Sequence, residues 1–206
     1  MVKEGYWYGL PLLLVAGGAF VLHVYLFGAA FSVLALLILN FFRDPRREIP
    51  QDPGIIVSPA DGRIVQAVDE IYDGQRVRRL SIFMSPLDVH VNRSPIAGVI
   101  ESVSYRRGTF SIATKNEASV QNEQNVFALT GEQGRVIVKQ IAGAVARRIV
   151  FWKRVGDRLA RGERVGLIKF GSRVDVLFEP DTELRVKVGD RVRAGSTILG
   201  SRVANS

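Results

Sequence analysis

The 206-residue chain contains no cysteine. Disulfides, thiolate nucleophiles and cysteine-based zinc sites are therefore excluded, and the absence fits a reducing compartment. Histidine is nearly as scarce, with only His23 and His90. Charge is missing between residues 5 and 42, and the neighbouring Lys3 and Glu4 cancel, so the whole net charge of +8 falls on residues 43–206. No small-residue cleavage site follows a short apolar core, which argues against a removable signal peptide. No recognisable nucleic-acid module accompanies the basic balance. A basic domain beside an apolar segment points instead to an anionic membrane surface, where each Lys or Arg is worth about 1 kcal/mol.

The run from Tyr6 to Phe42 is almost wholly apolar. One helix of that length would exceed a hydrocarbon core of ~30 Å. Two short transmembrane helices are therefore predicted, near 7–22 and 25–42, turning around His23, Val24 and Tyr25. Lys3 flanks one end of this membrane hairpin (residues 1–42), and Arg43, Arg46 and Arg47 flank the other. That places both ends, and the domain beyond, on the cytoplasmic side of the plasma membrane. Residues 43–54 ("RDPRREIPQDPG") read as a linker.

From residue 55 onward, short β-branched runs alternate with Gly, Asp and Asn turns. Strands are predicted at Ile55–Val57, Arg63–Val68, Arg79–Met84, Gly98–Tyr105, Val120–Leu129, Arg135–Ile141, Val165–Phe170, Arg173–Phe178 and Thr197–Ser201. Residues 143–152 read equally as a short helix or a strand. A weak repeat pairs "VGDRLARGERVGLI" (155–168) with "VGDRVRAGSTILG" (188–200). Such turns suit a barrel-sandwich domain with lipoyl-like turns. Neither copy carries the hairpin-tip lysine of a carrier, so the repeat is architecture. Residues 55–206 are thus predicted as a mainly β, sandwich-like domain.

The chemical inventory is thin. His90 lies in "SPLDVHVNRSP" and is the only side chain of the β domain with an ordinary pKa close to neutrality. On a strand, Asp88 would share its face and could orient the imidazole. Asp61, in "SPADGRI", sits in a turn signal. The Gly171–Ser172 step of "FGSRVDVLF" is wedged between two β-like runs, where glycine lets a neighbouring group approach closely.

In order along the chain, "SPADGRI", "SPLDVHVNRSPIAG", "QIAGAVARRIV" and "FGSRVDVLF" resemble the short form of the phosphatidylserine decarboxylase family, pyruvoyl-dependent proenzymes. The resemblance implies self-cleavage between Gly171 and Ser172 into fragments 1–171 and 172–206, which remain together as a heterodimer. It implies that Ser172 becomes a covalent pyruvoyl cofactor forming a Schiff base with the substrate, without metal or nucleotide. Asp61 then matches the acidic processing residue, and His90 and Asp88 match a histidine and an aspartate of the family's motif. Longer members have a second histidine where this chain has Arg93, which cannot act as a base near neutral pH. A decoy Gly-Ser-Thr at 195–197 would leave only a short tail, so Ser172 is preferred. The expected function is decarboxylation of phosphatidylserine in an anionic membrane, with further homo-oligomerisation left open. Two rivals stand beside it: a non-enzymatic, membrane-tethered lipoyl-like adaptor, and a decarboxylase of archaeal-type ether phosphoserine lipids.

Overall fold

The computed structural model describes residues 1–108, 122–143, 148–169 and 172–202, and the chain divides into two compact units, Met1–Arg46 and Arg47–Ser206. The first unit is a helix pair, α1 (Lys3–Val21) and α2 (Tyr25–Phe41). The break falls at the predicted turn, where His23 adopts the left-handed φ of 58°. Small residues bring the helices together: a Cβ on Gly9 would stand 2.5 Å from Leu39. The expectation of two transmembrane spans is not met, because among the described residues no helix is long and apolar enough to cross a membrane. The physical reasons differ between the helices. α1 begins with Lys3 and Glu4, continues through Tyr6, Trp7 and Tyr8, and contains Pro11. α2 has 17 residues, which rise to only about 26 Å.

The regular elements described in the second unit are all β-strands. Its strands are β1 (Ile55–Val57), β2 (Gly62–Tyr72), β3 (Gln75–Met84), β4 (Val91–Arg93), β5 (Gly98–Arg106), β6 (Gln124–Gly131), β7 (Gly134–Ala142), β8 (Arg148–Phe151), β9 (Arg158–Leu159), β10 (Arg164–Lys169), β11 (Ser172–Phe178), β12 (Glu183–Leu184), β13 (Arg191–Val192) and β14 (Ile198–Ser201). An eight-stranded sheet has the order β13-β2-β3-β11-β7-β6-β5-β9, and two three-stranded sheets have the orders β1-β14-β12 and β4-β10-β8. One hydrophobic core joins them, with Ile56 and Leu199 from one small sheet, Val165 and Ile168 from the other, and Ile82, Val138 and Val174 from the large sheet. The described part of the undecided stretch, Arg148–Phe151, is a strand.

The turn repeat is half of a larger one. Residues 55–64 (IIVSPADGRI) match residues 91–100 (VNRSPIAGVI), and the backbone bonds match with them. Val57 N donates to Pro95 O while Arg93 N donates to Pro59 O, both at 2.9 Å. Ser58 Oγ donates to Ala60 O, and Ser94 Oγ to Ile96 O, both at 2.7 Å. In the two Val-Gly-Asp turns, Gly189 N donates to Ile64 O and Gly156 N to Ile100 O. The β-bulges of β2 and β5 fall at matching positions, Ile64/Gln66 and Ile100/Ser102. The eight-stranded sheet is therefore two similar halves meeting between the antiparallel strands β11 and β7.

Candidate active site

Three strands of the large sheet line up their ends in one row. Ser172, the first residue of β11, pairs with Met84, the last of β3, and with Ala142, the last of β7. Alternation along β11 turns Ser172, Val174, Val176 and Phe178 into the core. Ser172 is 0 % exposed. Its Oγ donates to Met84 Sδ at 3.4 Å. Gly171, the other half of the expected cleavage site, lies outside the described residues.

The second sheet brings His90 to this end. β4 pairs with β10, Leu167 opposite Val91, and Ile168 N donates to His90 O at 3.4 Å. From Lys169, the last residue of β10, the chain reaches Ser172 after two residues. His90 is buried, and its Nδ1 lies 2.9 Å from Asp88 O. A carbonyl only accepts, so Nδ1 carries the hydrogen and Nε2 is the proton-accepting atom of the neutral ring. This differs from the expected geometry. Residues 85–90 form a turn rather than a strand, so the main-chain carbonyl of Asp88, not its carboxylate, orients the imidazole. The carboxylate closes the turn instead, accepting from Ser85 N at 2.8 Å and facing Arg191 at 3.6 Å.

Asp61 stands just before Gly62, at the same end of the sheet, since Arg63 pairs with Phe83. Gly62 is required there: a Cβ would come 2.2 Å from Phe83 O. Both Asp61 oxygens accept from Arg47 Nη2 at 2.9 Å, and Oδ1 also accepts from Ala194 N at 2.8 Å. Among the described residues, no hydrogen bond joins Asp61 to His90 or Ser172. The repeat nevertheless marks it as special, because its counterpart in the other half is Ala97. Arg93 takes a structural part, donating from Nη1 to Gly162 O at 2.9 Å. The decoy Ser196 is held in a turn, its N donating to Arg193 O at 3.1 Å.

Sequence reasoning missed a buried chain of amides beside Ser172. Asn125 Nδ2 donates to Gln140 Oε1 at 2.9 Å, and Gln140 Nε2 donates to Asn92 Oδ1 at 2.8 Å. Asn92 Nδ2 then points at Met84 Sδ, 3.8 Å away. The available signal was Gln140, which faces inward with Val138 and Ala142 in a strand that otherwise buries apolar residues there. On the opposite face of β11, Arg173 and Asp175 form an ion pair at 3.0 Å with both side chains 1 % exposed. Beside them, burial pushes the Lys139 ammonium below its ordinary pKa, against the pull of Asp175 and Glu70. Among the described residues, no group of three His, Cys, Asp or Glu side chains could hold a metal ion.

The family described as phosphatidylserine decarboxylase matches residues 34–200. Curated relatives carry the name phosphatidylserine decarboxylase proenzyme. That of Solibacter usitatus is 50 % identical over 203 residues, 98 % of this chain and 97 % of the relative. That of Symbiobacterium thermophilum is 45 % identical over 204 residues, 97 % of this chain and 94 % of the relative. That of Salinibacter ruber is 46 % identical over 197 residues, 91 % of this chain and 87 % of the relative.

Proposed function

The chain belongs to the phosphatidylserine decarboxylase family, and we propose that it is made as a proenzyme that cleaves itself before Ser172 and then decarboxylates phosphatidylserine. Loss of carbon dioxide from the serine headgroup leaves ethanolamine, so the product is phosphatidylethanolamine. The observation that carries this reading is Ser172 itself: a fully buried serine opening a central strand, at the matched position of a chain whose relatives are named proenzymes. The adaptor and ether-lipid readings find no support among those relatives.

The chain's own atoms suffice for cleavage. Ser172 Oγ attacks the Gly171 carbonyl carbon, the amide nitrogen takes a proton, and an ester replaces the peptide bond. Removal of the Ser172 α-proton breaks the Cβ–Oγ bond and expels Gly171 as a carboxylate. Water then replaces the nitrogen on residue 172, releasing ammonia and leaving a pyruvoyl group. That group would keep the same three carbons as the serine and so would fit the buried space the serine occupies. Once formed, it supplies an electrophilic ketone that holds the substrate amine and takes up electrons. His90 Nε2 is the atom that moves protons, fixed in direction by the Nδ1 contact to Asp88 O. Asp61, saturated by Arg47 and Ala194 N, acts on cleavage by holding the strand ends in place.

We assign the helix pair to attachment at the cytoplasmic face of an anionic membrane. Its exterior is apolar, with Leu14 77 % and Leu26 82 % exposed, as suits helices seated in a bilayer interface. The intact mass of purified protein tests the central claim. Two polypeptides are expected, the smaller beginning with a pyruvoyl-blocked residue 172. A single intact chain with full activity overturns it.

A further inference from the structure

Asn92 is polar where the architecture has no need of polarity. In the repeat its counterpart is Ile56, which fills the matching place in the same core at 0 % exposure. A buried carboxamide is costly unless its hydrogen bonds are met, and here three amides meet one another. The donors of Asn125, Gln140 and Asn92 run in one direction, each polarising the next, and the last lies 3.5 Å from Pro59 O and 3.8 Å from Met84 Sδ. The same sulfur accepts the Ser172 hydroxyl at 3.4 Å. Methionine has three rotatable bonds and on its own specifies position poorly. Here its thioether is held between two donors, one from the eight-stranded sheet and one from the sheet β4-β10-β8.

We infer that Asn125, Gln140 and Asn92 are positioning residues for self-cleavage, acting through Met84 Sδ on the Ser172 hydroxyl. This rests on the proposed cleavage before Ser172. A hydroxyl has three staggered rotamers, and donation to Met84 selects one. A thioether is a weak acceptor, so it sets the rotamer yet hardly holds back the hydroxyl proton, which leaves Oγ for the departing amide nitrogen as Oγ attacks the Gly171 carbonyl. After cleavage, Oγ has left as one oxygen of the Gly171 carboxylate. The contact to Met84 then no longer exists, so the amide chain governs maturation and not turnover.

The chain has two methionines, Met1 and Met84, so norleucine in place of methionine exchanges one buried sulfur for a methylene. Full-length chains made by cell-free synthesis with methionine or norleucine are followed by gel for cleavage and then assayed for decarboxylation per cleaved molecule. Norleucine should slow the first-order cleavage by about three- to tenfold, the usual worth of one net hydrogen bond, and leave turnover per cleaved molecule unchanged. Asn92→Asp, which keeps the oxygen facing Gln140 and removes the donor, should show the same split, and Met84→Leu replaces norleucine if that chain misfolds. Cleavage at the normal rate overturns the inference, and so does an equal loss of cleavage and turnover. A methionine-containing chain that never cleaves instead overturns the reading on which it rests.

Discussion

Replacing His90 by alanine removes Nε2, the atom assigned to proton transfer. Molecules that mature should lose decarboxylation by about 10²–10⁴-fold, the usual range for a positioned acid or base. Turnover per cleaved molecule measures this, and a normal rate would remove His90 from the mechanism. Asp61→Asn should slow cleavage more than tenfold by weakening the grip on Arg47, with Arg47→Lys falling between, as time courses on gels would show. The sequence singled out His90 and Asp61 as candidates, but it did not give their geometry. Asp88 was expected to orient His90 with its carboxylate, because the segment read as a strand. The turn at 85–90 puts its carbonyl there instead. Tyr105 offers a pH test. Partial desolvation of this half-exposed ring, then its bond to Glu123 Oε1, raises the phenol above the ordinary tyrosine range. The folded protein therefore holds that proton longer than the unfolded chain, and this stability is lost as pH rises past ~10. Tyr105→Phe should flatten the alkaline fall in urea midpoint, and an unchanged slope would refute the assignment.

The longer strands announced themselves through β-branched runs between turn residues, and β1 fell at the predicted residues, Ile55–Val57. The strands β9, β12 and β13 did not, because two residues cannot display a period. The larger repeat was hidden because Asp61 aligns with Ala97, and Asn92 and Arg93 align with Ile56 and Val57, so identity survives mainly at Ser-Pro and Gly. β11 shows why a strand's two faces must be read separately. One carries Ser172 into the core, and the other buries Arg173 against Asp175. Removing one partner of a buried ion pair costs roughly 3–5 kcal/mol, whereas an apolar pair of similar volume can restore it. In a Ser172→Ala background, which should keep the chain whole, Asp175→Ala should be destabilised by that order in urea melts. Arg173→Met with Asp175→Leu should recover most of the loss. A double variant as unstable as the single would show that the pair serves more than itself.

At the scale of the molecule, unit Arg47–Ser206 carries its own core. A chain starting at Arg43 keeps Arg47 against Asp61 and should cleave normally, while losing flotation with phosphatidylserine vesicles. Failure of a folded version to cleave would give the helices a part in processing. The apolar segment and its division at His23 were read from the sequence, but the helix bounds that leave neither described helix long and apolar enough to cross a membrane were not. The fragment 172–206 would supply the central strand β11 and the edge strand β13 of the large sheet, together with β12 and β14 of a small one. Its partner supplies β2 and β3 between the first two, β7 on the other side of β11, and β1 beside β14. The halves are interleaved rather than docked, so they cannot part without unfolding. Denaturation of the mature protein is then a dissociation governed by mass action. Its melting temperature should climb with protein concentration, whereas that of the uncut Ser172→Ala chain should not.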